Sequence, residues 1–310
     1  MRIATILSIT SLLLPTSVFA GQRIDESISA EGIALVNIEN IRGEITIIGA
    51  DTDTITAKGE IEKNAKRFVF EKSGNLLRIK ADVRNSNNGR GSEYTVRLPN
   101  DVRVNFDGVS SDVKVENITG STEVSTVSGD IEAENLTDNV ELSTVSGEID
   151  SKNLSGKVRL YTVSGSIDDE GSSGRIHMKA VSGDVRTESS ATEVTLGVVS
   201  GDIRFRLGEV EELHITTVSG DADGSLSLTD NASVKMSGVS GDVSLNFTSE
   251  VNASFNLSAT AGGDLKNRIT SDKARRAKYG PSSKLQFTAG NGSASVKGST
   301  VSGEISVSNR

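Results

Sequence analysis

The sequence contains no cysteine and no tryptophan, and only 3 prolines and 2 histidines among 310 residues. Without cysteine, disulfides and thiolate metal sites are excluded, so packing and backbone hydrogen bonds must stabilise the fold. Lipid attachment to a cysteine behind a leader segment is excluded as well. Because aromatic residues make up only 4% of the chain, the core must be thin and built from Val, Ile and Leu.

Long apolar runs are almost absent. Residues 1–20 combine Arg2, a short apolar run and a small-x-small ending at Ala20, a pattern typical of a secretory signal peptide cleaved after Ala20. This run is too short to span a bilayer, and no later run is longer. We predict an exported protein of the periplasm or cell surface whose mature chain begins at Gly21, with a retained membrane anchor as the alternative.

Acidic residues outnumber basic ones, 42 to 33, and the formal net charge is −9. This excess keeps the chain soluble and argues against nucleic acid as a partner. The sequence offers no cofactor motif.

Glycine, by contrast, is abundant, with 31 residues, and much of it belongs to an internal repeat. The tetrapeptide Val-Ser-Gly-Asp, or a near copy, recurs at steps of 18 residues, which loosen to 19, 21 and 22 further along. A fixed period of this kind indicates a repeat architecture. The copies begin at Val109, Val127, Val145, Val163, Val181, Val199, Val218, Val239, Ala261 and Val301.

Each period contains two bursts in which apolar and polar residues alternate, as in Ile131 with Ala133 and Val140 with Leu142. Alternation with period two over four to six residues indicates a half-buried strand. Helical spacing does not occur after residue 20. We therefore predict an all-β fold: a single elongated β-solenoid with about 18-residue coils and two short strands per coil.

Stacking places equivalent residues of successive coils above one another, about 4.8 Å apart. Two apolar columns should form the core, Ile131 to Ile203 and Val140 to Val194 at steps of 18. A glycine column should mark a corner, where the chain needs positive φ or has no space for a Cβ. The serine column beside it is expected to bond corner backbone groups or its own copies. The corner glycines are Gly129, Gly147, Gly165, Gly183, Gly201, Gly220, Gly241 and Gly303.

Three segments follow from this pattern: the signal peptide at 1–20, an irregular β cap at 21–105, and repeats at 106–310. Residues 41–47 (IRGEITI) look like a diverged copy within the cap. Residues 266–284 interrupt the repeats with a basic insertion, predicted to be a loop or short helix projecting from the side of the stack. As the chain ends within a repeat, its C-terminal edge should be covered by this insertion or paired with another chain, so self-association is an open alternative.

The basic insertion is the best local candidate for contact with an anionic ligand. Such a ligand would be an envelope glycan, lipid head groups or another protein, and the alternative is a solvated loop. Its basic residues are Lys266, Arg268, Lys273, Arg275, Arg276, Lys278 and Lys284.

The repeat itself, TVSGDI at 126–131 with close copies at 144–149 and 162–167, resembles a widespread bacterial family. The family is described as adhesin-like, or as an exported β-strand-repeat domain of unknown function. The stretches at 94–99 and 290–296 resemble it too, so the likeness covers nearly all of the predicted mature chain. The resemblance implies the β-repeat fold; it implies an adhesive role only weakly and brings no catalytic residues.

Convergent chemistry is hard to find in this pattern. His177 and His214 should point outward in one column, about 10 Å apart, too far to share a metal ion. The sequence Asp168-Asp169-Glu170 is a candidate for a glycan-cleaving groove or, more simply, a solvated turn. No catalytic, cofactor or metal residues are predicted.

A column of acidic residues follows the glycines. It either binds cations or accepts hydrogen bonds from corner amides. Calcium-binding rolls carry two Gly- and Asp-rich motifs per coil, whereas this chain carries one, which favours the amides. The column comprises Asp112, Asp130, Glu148, Asp184, Asp202, Asp221, Asp242 and Asp264.

The sequence thus predicts a non-enzymatic, adhesin-like, scaffolding or binding protein of the cell envelope. Two alternatives stay open: a solenoid-type polysaccharide hydrolase or lyase, and a sensor associated with envelope stress or signalling.

Overall fold

The computed structural model describes residues 21–83 and 91–309, which form 25 strands and no helix. The predicted signal peptide lies outside these residues, as does most of the turn-rich segment at 85–91. All 25 strands join one continuous sheet. They are β1 Gln22–Ser29, β2 Leu35–Ala50, β3 Thr54–Ile61, β4 Ala65–Ser73, β5 Leu76–Val83, β6 Ser92–Pro99, β7 Arg103–Glu116, β8 Thr122–Thr126, β9 Ile131–Glu134, β10 Asn139–Thr144, β11 Ile149–Lys152, β12 Lys157–Thr162, β13 Ile167–Glu170, β14 Arg175–Ser182, β15 Val185–Ser189, β16 Glu193–Ser200, β17 Ile203–Ser219, β18 Ala222–Ser240, β19 Val243–Phe247, β20 Ala253–Ala259, β21 Leu265–Asn267, β22 Arg275–Arg276, β23 Ser283–Ala289, β24 Ala294–Thr300 and β25 Ile305–Asn309.

The all-β, solenoid-like prediction is confirmed by the way the repeats stack. Short strands β9, β11, β13, β15 and β17 pair in parallel, and Ile131, Ile149 and Ile167 meet in register. The second strands, β8, β10, β12, β14 and β16, pair likewise, with Val140 beside Val158. Both predicted apolar columns are almost completely buried, because stacking covers what a single coil leaves exposed.

Each coil therefore presents two outward surfaces. We call the side formed by β9, β11, β13, β15 and the first part of β17 the short-strand face. The side formed by β8, β10, β12, β14, β16 and their successors is the long-strand face. On both, side chains alternate between core and solvent, as the pleat requires.

The glycine column is explained by close approach of the coils. A Cβ built on Gly147 would lie well inside 3.0 Å of the carbonyl oxygen of Gly129, and the same overlap recurs at Gly165 and Gly183. Of the two reasons offered for these glycines, lack of space therefore holds at the first four, whose φ is not positive. The next three corners, at Gly201, Gly220 and Gly241, add a positive φ, which is 154° at Gly201.

Threonines, not the predicted serines, satisfy these corners. The buried Thr144 hydroxyl donates to the carbonyl of Gly129 at 3.1 Å, and Thr162 donates to Gly147 at 3.2 Å. The serine side chains are mostly exposed, and the backbone amide of Ser146 bonds the Val127 carbonyl. The serine of the last copy does bond a corner backbone group as expected, since the Ser302 hydroxyl donates to the Val239 carbonyl at 3.2 Å. The glycine carbonyls face the core, where the threonine hydroxyl lies.

A second corner, which follows the short strands of four successive coils, uses the left-handed conformation. Asn117, Asn135 and Asn153 occupy it with φ of 60°, 55° and 55°, and Gly171 follows with 75°. Asn tolerates this region better than most residues. The side-chain amide nitrogen of Asn135 also donates to the side-chain Oδ1 of Asn117 at 3.0 Å, so the side chains form a short ladder. The recurrence of Asn at steps of 18 was the available signal.

The N-terminal end departs from chain order. Strand β2 pairs in parallel with β7 on one side and with β5 and β6 on the other, so it lies inside the stack. Gly43 is in register with Ser111, and Glu44 with Asp112, as expected for the diverged copy at 41–47. Antiparallel strands β1, β3 and β4 close this end. The predicted boundary at residue 105 falls within β7.

At the C-terminal end, too, the strands do not stack in chain order. Strand β25 pairs with β19 and with β21, and β24 lies between β18 and β20. The last repeat is therefore inserted into the stack instead of ending it. The basic segment covers the outer side of its last strand, as the first of the two alternatives predicted, because Lys266 and Asn267 pair with Ser306 and Val307. The end of the stack itself is closed by β23, antiparallel to β20. Antiparallel closure breaks the regular edge on which a further parallel coil could stack.

In residues 21–83 and 91–309, the chain forms no helix with the length and apolarity needed to cross a bilayer.

Candidate binding surfaces

The acidic column forms a hydrogen-bonded ladder along the corner. The Oδ1 atom of each aspartate accepts a hydrogen bond from the backbone amide of the acidic residue in the next coil. Separations are 3.0 Å from the Asp130 amide to Asp112 and 2.9 Å from the Glu148 amide to Asp130. The ladder resumes from Asp184 to Glu304, at 2.8–3.1 Å. The amide interpretation is confirmed, and it explains how like charges stack about 5 Å apart.

Asp264, the last predicted member, accepts no bond of this kind. Its backbone carbonyl instead accepts from the Ile305 amide, and its carboxylate pairs with Arg276 at 2.8 Å. It lies one coil beyond Glu304 because the last repeat is inserted before it.

The short-strand face carries an open groove of about 630 Å³. It crosses six coils, and charged side chains from successive strands line it. The outward members are Asp150, Lys152, Asp168, Glu170, Arg186, Glu188, Arg204, Arg206 and Asp223.

Ion pairs cross-link this groove from coil to coil. Arg186 lies 3.5 Å from Asp168, and Arg206 lies 2.5 Å from Glu188, as the matched positions predicted. Arg204 pairs with Asp202 at 2.9 Å. Such exposed pairs contribute about 0.2–1 kcal/mol each, so they set register and solubility more than stability.

Among the carboxyl groups of the groove, Asp150 has a raised pKa. Burial is the main cause, and the stacked carboxylates of Asp168 and Glu132 raise the pKa further. The segment at 168–170 forms strand β13, so the solvated-turn interpretation was wrong. Asp168 and Glu170 point into the groove, while the intervening Asp169 points into the core and is 6% exposed.

Asp169 is the centre of a polar cluster within the core. Its Oδ1 accepts hydrogen bonds from Ser151 at 2.8 Å and Ser172 at 2.5 Å, and its Oδ2 accepts one from Thr187 at 2.9 Å. Burial nevertheless raises the pKa of this carboxyl, although the three hydroxyls oppose the rise. Ser172 also accepts the Leu154 amide, so the cluster ties three coils together.

We expect Asp169→Asn to change how stability depends on pH. With its folded pKa above the unfolded value of about 3.9, ionised Asp169 disfavours folding at neutral pH. The free energy of unfolding of the parent should rise as pH falls through the folded pKa, and this component should be absent in the variant. Urea unfolding between pH 4 and pH 8 measures it.

The exposed neighbour supplies the control. Asp168→Asn removes a carboxylate from the adjacent, outward position of the same strand, so a change that both variants share is not due to the burial of Asp169. Profiles of the parent and Asp169→Asn that run parallel over the whole range would refute a buried, raised carboxyl.

The two histidines lie where the alternation predicts, on the outward long-strand face. His177 pairs with Thr195, which in turn pairs with His214, so two steps of the stack separate them. Burial and the cations Arg159 and Lys179 lower the pKa of His177. Within the described residues, no group of His, Asp and Glu side chains is placed to hold a metal ion.

The basic segment lies on the end of the stack instead of projecting from its side, because β22 pairs with β23. Lys273, Arg275 and Lys284 line a cavity of about 450 Å³ with Gln286 and Asp272. The other four predicted residues do not line this cavity. Lys266 pairs with Glu304 at 2.6 Å, Arg276 pairs with Asp264, and the Lys278 ammonium lies over the Tyr279 ring. The backbone amide of Arg268 donates to the Val307 carbonyl.

Among solved structures, the chain matches a "putative cell adhesion protein" from Clostridium sporogenes and a "putative adhesin" from Bacteroides fragilis. Both are 12% identical to this chain. The first covers 93% of this chain and 100% of its own, with a TM-score of 0.25. The second covers 92% and 97%, with a TM-score of 0.37. TM-scores this low support no conclusion about the fold or function of this chain.

No curated protein sequence matches the chain. A family model described as Toastrack DUF4097 does match, over residues 34–308. The match includes strands from both ends, where the stacking departs from chain order, and every repeat between them. It confirms the family resemblance carried by the repeats. The chain belongs to the Toastrack DUF4097 family.

Proposed function

We propose that this protein is an exported, non-enzymatic component of the bacterial cell envelope, with an adhesin-like, scaffolding or binding role. In this proposal the 18-residue coils, with two short strands each, act as a rigid rod that repeats shallow polar contacts at a fixed spacing. Individually weak contacts then add up through multivalency.

One observation carries the proposal: the charged groups of the groove are arranged as a ladder instead of a converging set. Asp168 and Glu188 are each neutralised by an arginine of the following coil. Asp169 lies behind the groove wall with three hydroxyl partners. Glycoside hydrolysis needs two carboxyl groups that face one bond from opposite sides, which this arrangement does not favour.

Export and binding can be tested on one preparation. When residues 1–310 are produced in a bacterial host, we expect the protein outside the cytoplasm with Gly21 as its N-terminus. Purified peptidoglycan and lipopolysaccharide should then co-sediment with it, without release of reducing ends. Retention in the cytoplasm with an uncleaved N-terminus would contradict the export proposal.

The hydrolase alternative has a distinct signature. Turnover of any of these glycans that disappears in the triple variant Asp168→Asn, Asp169→Asn, Glu170→Gln would replace binding by catalysis. A protein that neither binds nor cleaves them would leave the proposed function without support.

A further inference from the structure

In two outward columns of the long-strand face, the side chains change from acidic to basic along the rod. Towards the N-terminal end two of its outward columns carry Asp107, Glu123 and Glu141, whereas from β14 onwards the same two columns carry His177, Lys179 and further basic residues. Among the described residues, no acidic side chain occupies these two columns between β14 and β22. The neighbouring outward column carries Glu193, which pairs with Arg175, and Glu212. We call this set the basic stripe: His177, Lys179, His214, Lys235, Lys297, Lys284 and Arg275.

The register makes the stripe continuous. His214 pairs with Lys235, and Lys235 pairs with Lys297. Beyond them, Asn256 continues the column to Gln286, which donates to it at 3.3 Å. Gln286 in turn lines the cavity on the end of the stack together with Lys273, Arg275 and Lys284. A single track of about 5 Å steps therefore leads from the middle of the rod into that cavity.

Neighbouring carboxylates do not neutralise the lysines of the stripe. Lys179, Lys235 and Lys297 are exposed, and none is within 4.0 Å of a carboxylate oxygen of the described residues. On the short-strand face, by contrast, arginines pair with carboxylates of the adjacent coil. Like charges on directly paired residues repel, so Lys235 and Lys297 destabilise each other unless an anion lies between them.

The surface between the cations is flat and rich in hydrogen-bonding groups. Thr195, Gly197, Thr216, Ser237 and Ser299 occupy the outward positions there, so no bulky side chain interrupts the track. At its acidic border, Tyr161 is 40% exposed and is paired with Lys179. Hydroxyls, one aromatic ring and spaced cations are the groups that recognise a sugar chain carrying negative charges.

We propose that the basic stripe binds a linear acidic polysaccharide lying along the rod axis and ending in the cavity lined by Lys273, Arg275 and Lys284. This inference rests on the proposed binding function and names its ligand class. A nucleic acid fits less well, because single-strand binding uses an aromatic ring for successive bases, whereas this track has Tyr161 alone.

The test uses residues 21–310 and defined oligomers of polygalacturonate, a linear glycan with one carboxylate per sugar. Titration calorimetry at low salt should show binding, and affinity should fall as salt rises because the contacts are ionic. The double variant Lys235→Gln/Lys297→Gln should weaken binding about tenfold or more. The matched control, Lys66→Gln/Lys72→Gln, removes the same charge from exposed sites on β4, outside the stripe and the groove, and should change affinity less than about twofold.

Each other outcome overturns the inference. Equal weakening by both double variants would show non-specific attraction, and neutral dextran binding as well as polygalacturonate would exclude charge recognition. Single-stranded DNA binding more tightly than the glycan would replace the ligand class. If the parent sediments with envelope glycans but Lys235→Gln/Lys297→Gln does so equally, the stripe fails and the proposed function survives; glycan cleavage would instead contradict the proposed function itself.

Discussion

Gly165→Ala is expected to destabilise the protein by more than about 3 kcal/mol, a large effect for the addition of one methyl group. The new Cβ would overlap the carbonyl oxygen and carbon of Gly147 in the coil below. Neither group can yield, because the same chain segment is hydrogen-bonded into the stack: the Thr162 hydroxyl donates to that carbonyl. Relief requires the two coils to separate, which breaks the parallel pairing on both sides.

Another glycine provides the matched control. Gly197 lies on the outward long-strand face, and a Cβ there would meet nothing closer than the Lys179 Cγ at 3.7 Å. Gly197→Ala should therefore change stability by less than about 1 kcal/mol, in the stabilising direction, because alanine loses less backbone entropy than glycine in a strand. Urea unfolding of both variants, followed by far-ultraviolet circular dichroism, measures the contrast. Equal effects at Gly165 and Gly197 would contradict the close approach of the coils.

The regular centre of this fold could be predicted from the sequence because its signal is repeated. The steps of 18 between Ile131, Ile149 and Ile167 place them in one column by arithmetic alone, and the structure pairs them. Period-two alternation also fixed the outward direction of His177 and His214. The same rule would have placed Asp169 inward, beside Ser151 and Thr187 of its column, but a run of three acidic residues looked like a turn.

The ends could not be predicted in this way. A diverged copy of the motif has the same local pattern wherever it stacks, so residues 41–47 do not reveal that β2 lies between β6 and β7. Likewise, the 62 residues between Asp242 and Glu304 hide the fact that their coils are neighbours. Position in the stack is decided by contacts between distant segments, for which the periodicity of one segment carries no information.

The same distinction applies to the candidate surfaces: features set by the repeat positions could be predicted, whereas features set by contacts between distant segments could not. The cross-coil pairs of Arg186 with Asp168 and Arg206 with Glu188 followed from matched repeat positions. The basic stripe did not, because Lys297 joins the column of Lys235 only after the last repeat is inserted, and Lys284 joins the column of Lys179 only after β23 folds back. The cations of residues 266–284 were recognisable by composition, but the sequence could not show which of them turn toward the cavity and which pair with Glu304 and Asp264.

Deletion of one whole coil is expected to be tolerated, whereas deletion of one residue fewer is expected to abolish folding. Removing residues 127–144, which are 18 residues, joins Thr126 to Val145 and places Gly147 over Ser111 and Ile149 over Val113. Every column then stays in register, and only one nearest-neighbour interface is lost. Removing residues 128–144 instead leaves one extra residue in the coil. In a strand, a shift by one residue turns core side chains outward.

The measurement that decides the account is the unfolding of these two deletion variants of residues 21–310, compared by circular dichroism and amide hydrogen exchange. Stacking like over like predicts that the variant lacking 127–144 keeps a cooperative transition and slowly exchanging amides in β13 and β15. It predicts that the variant lacking 128–144 loses both features in the adjoining coils. Equal stability of the two variants, or collapse of both, would contradict a stack in which equivalent residues lie directly above one another.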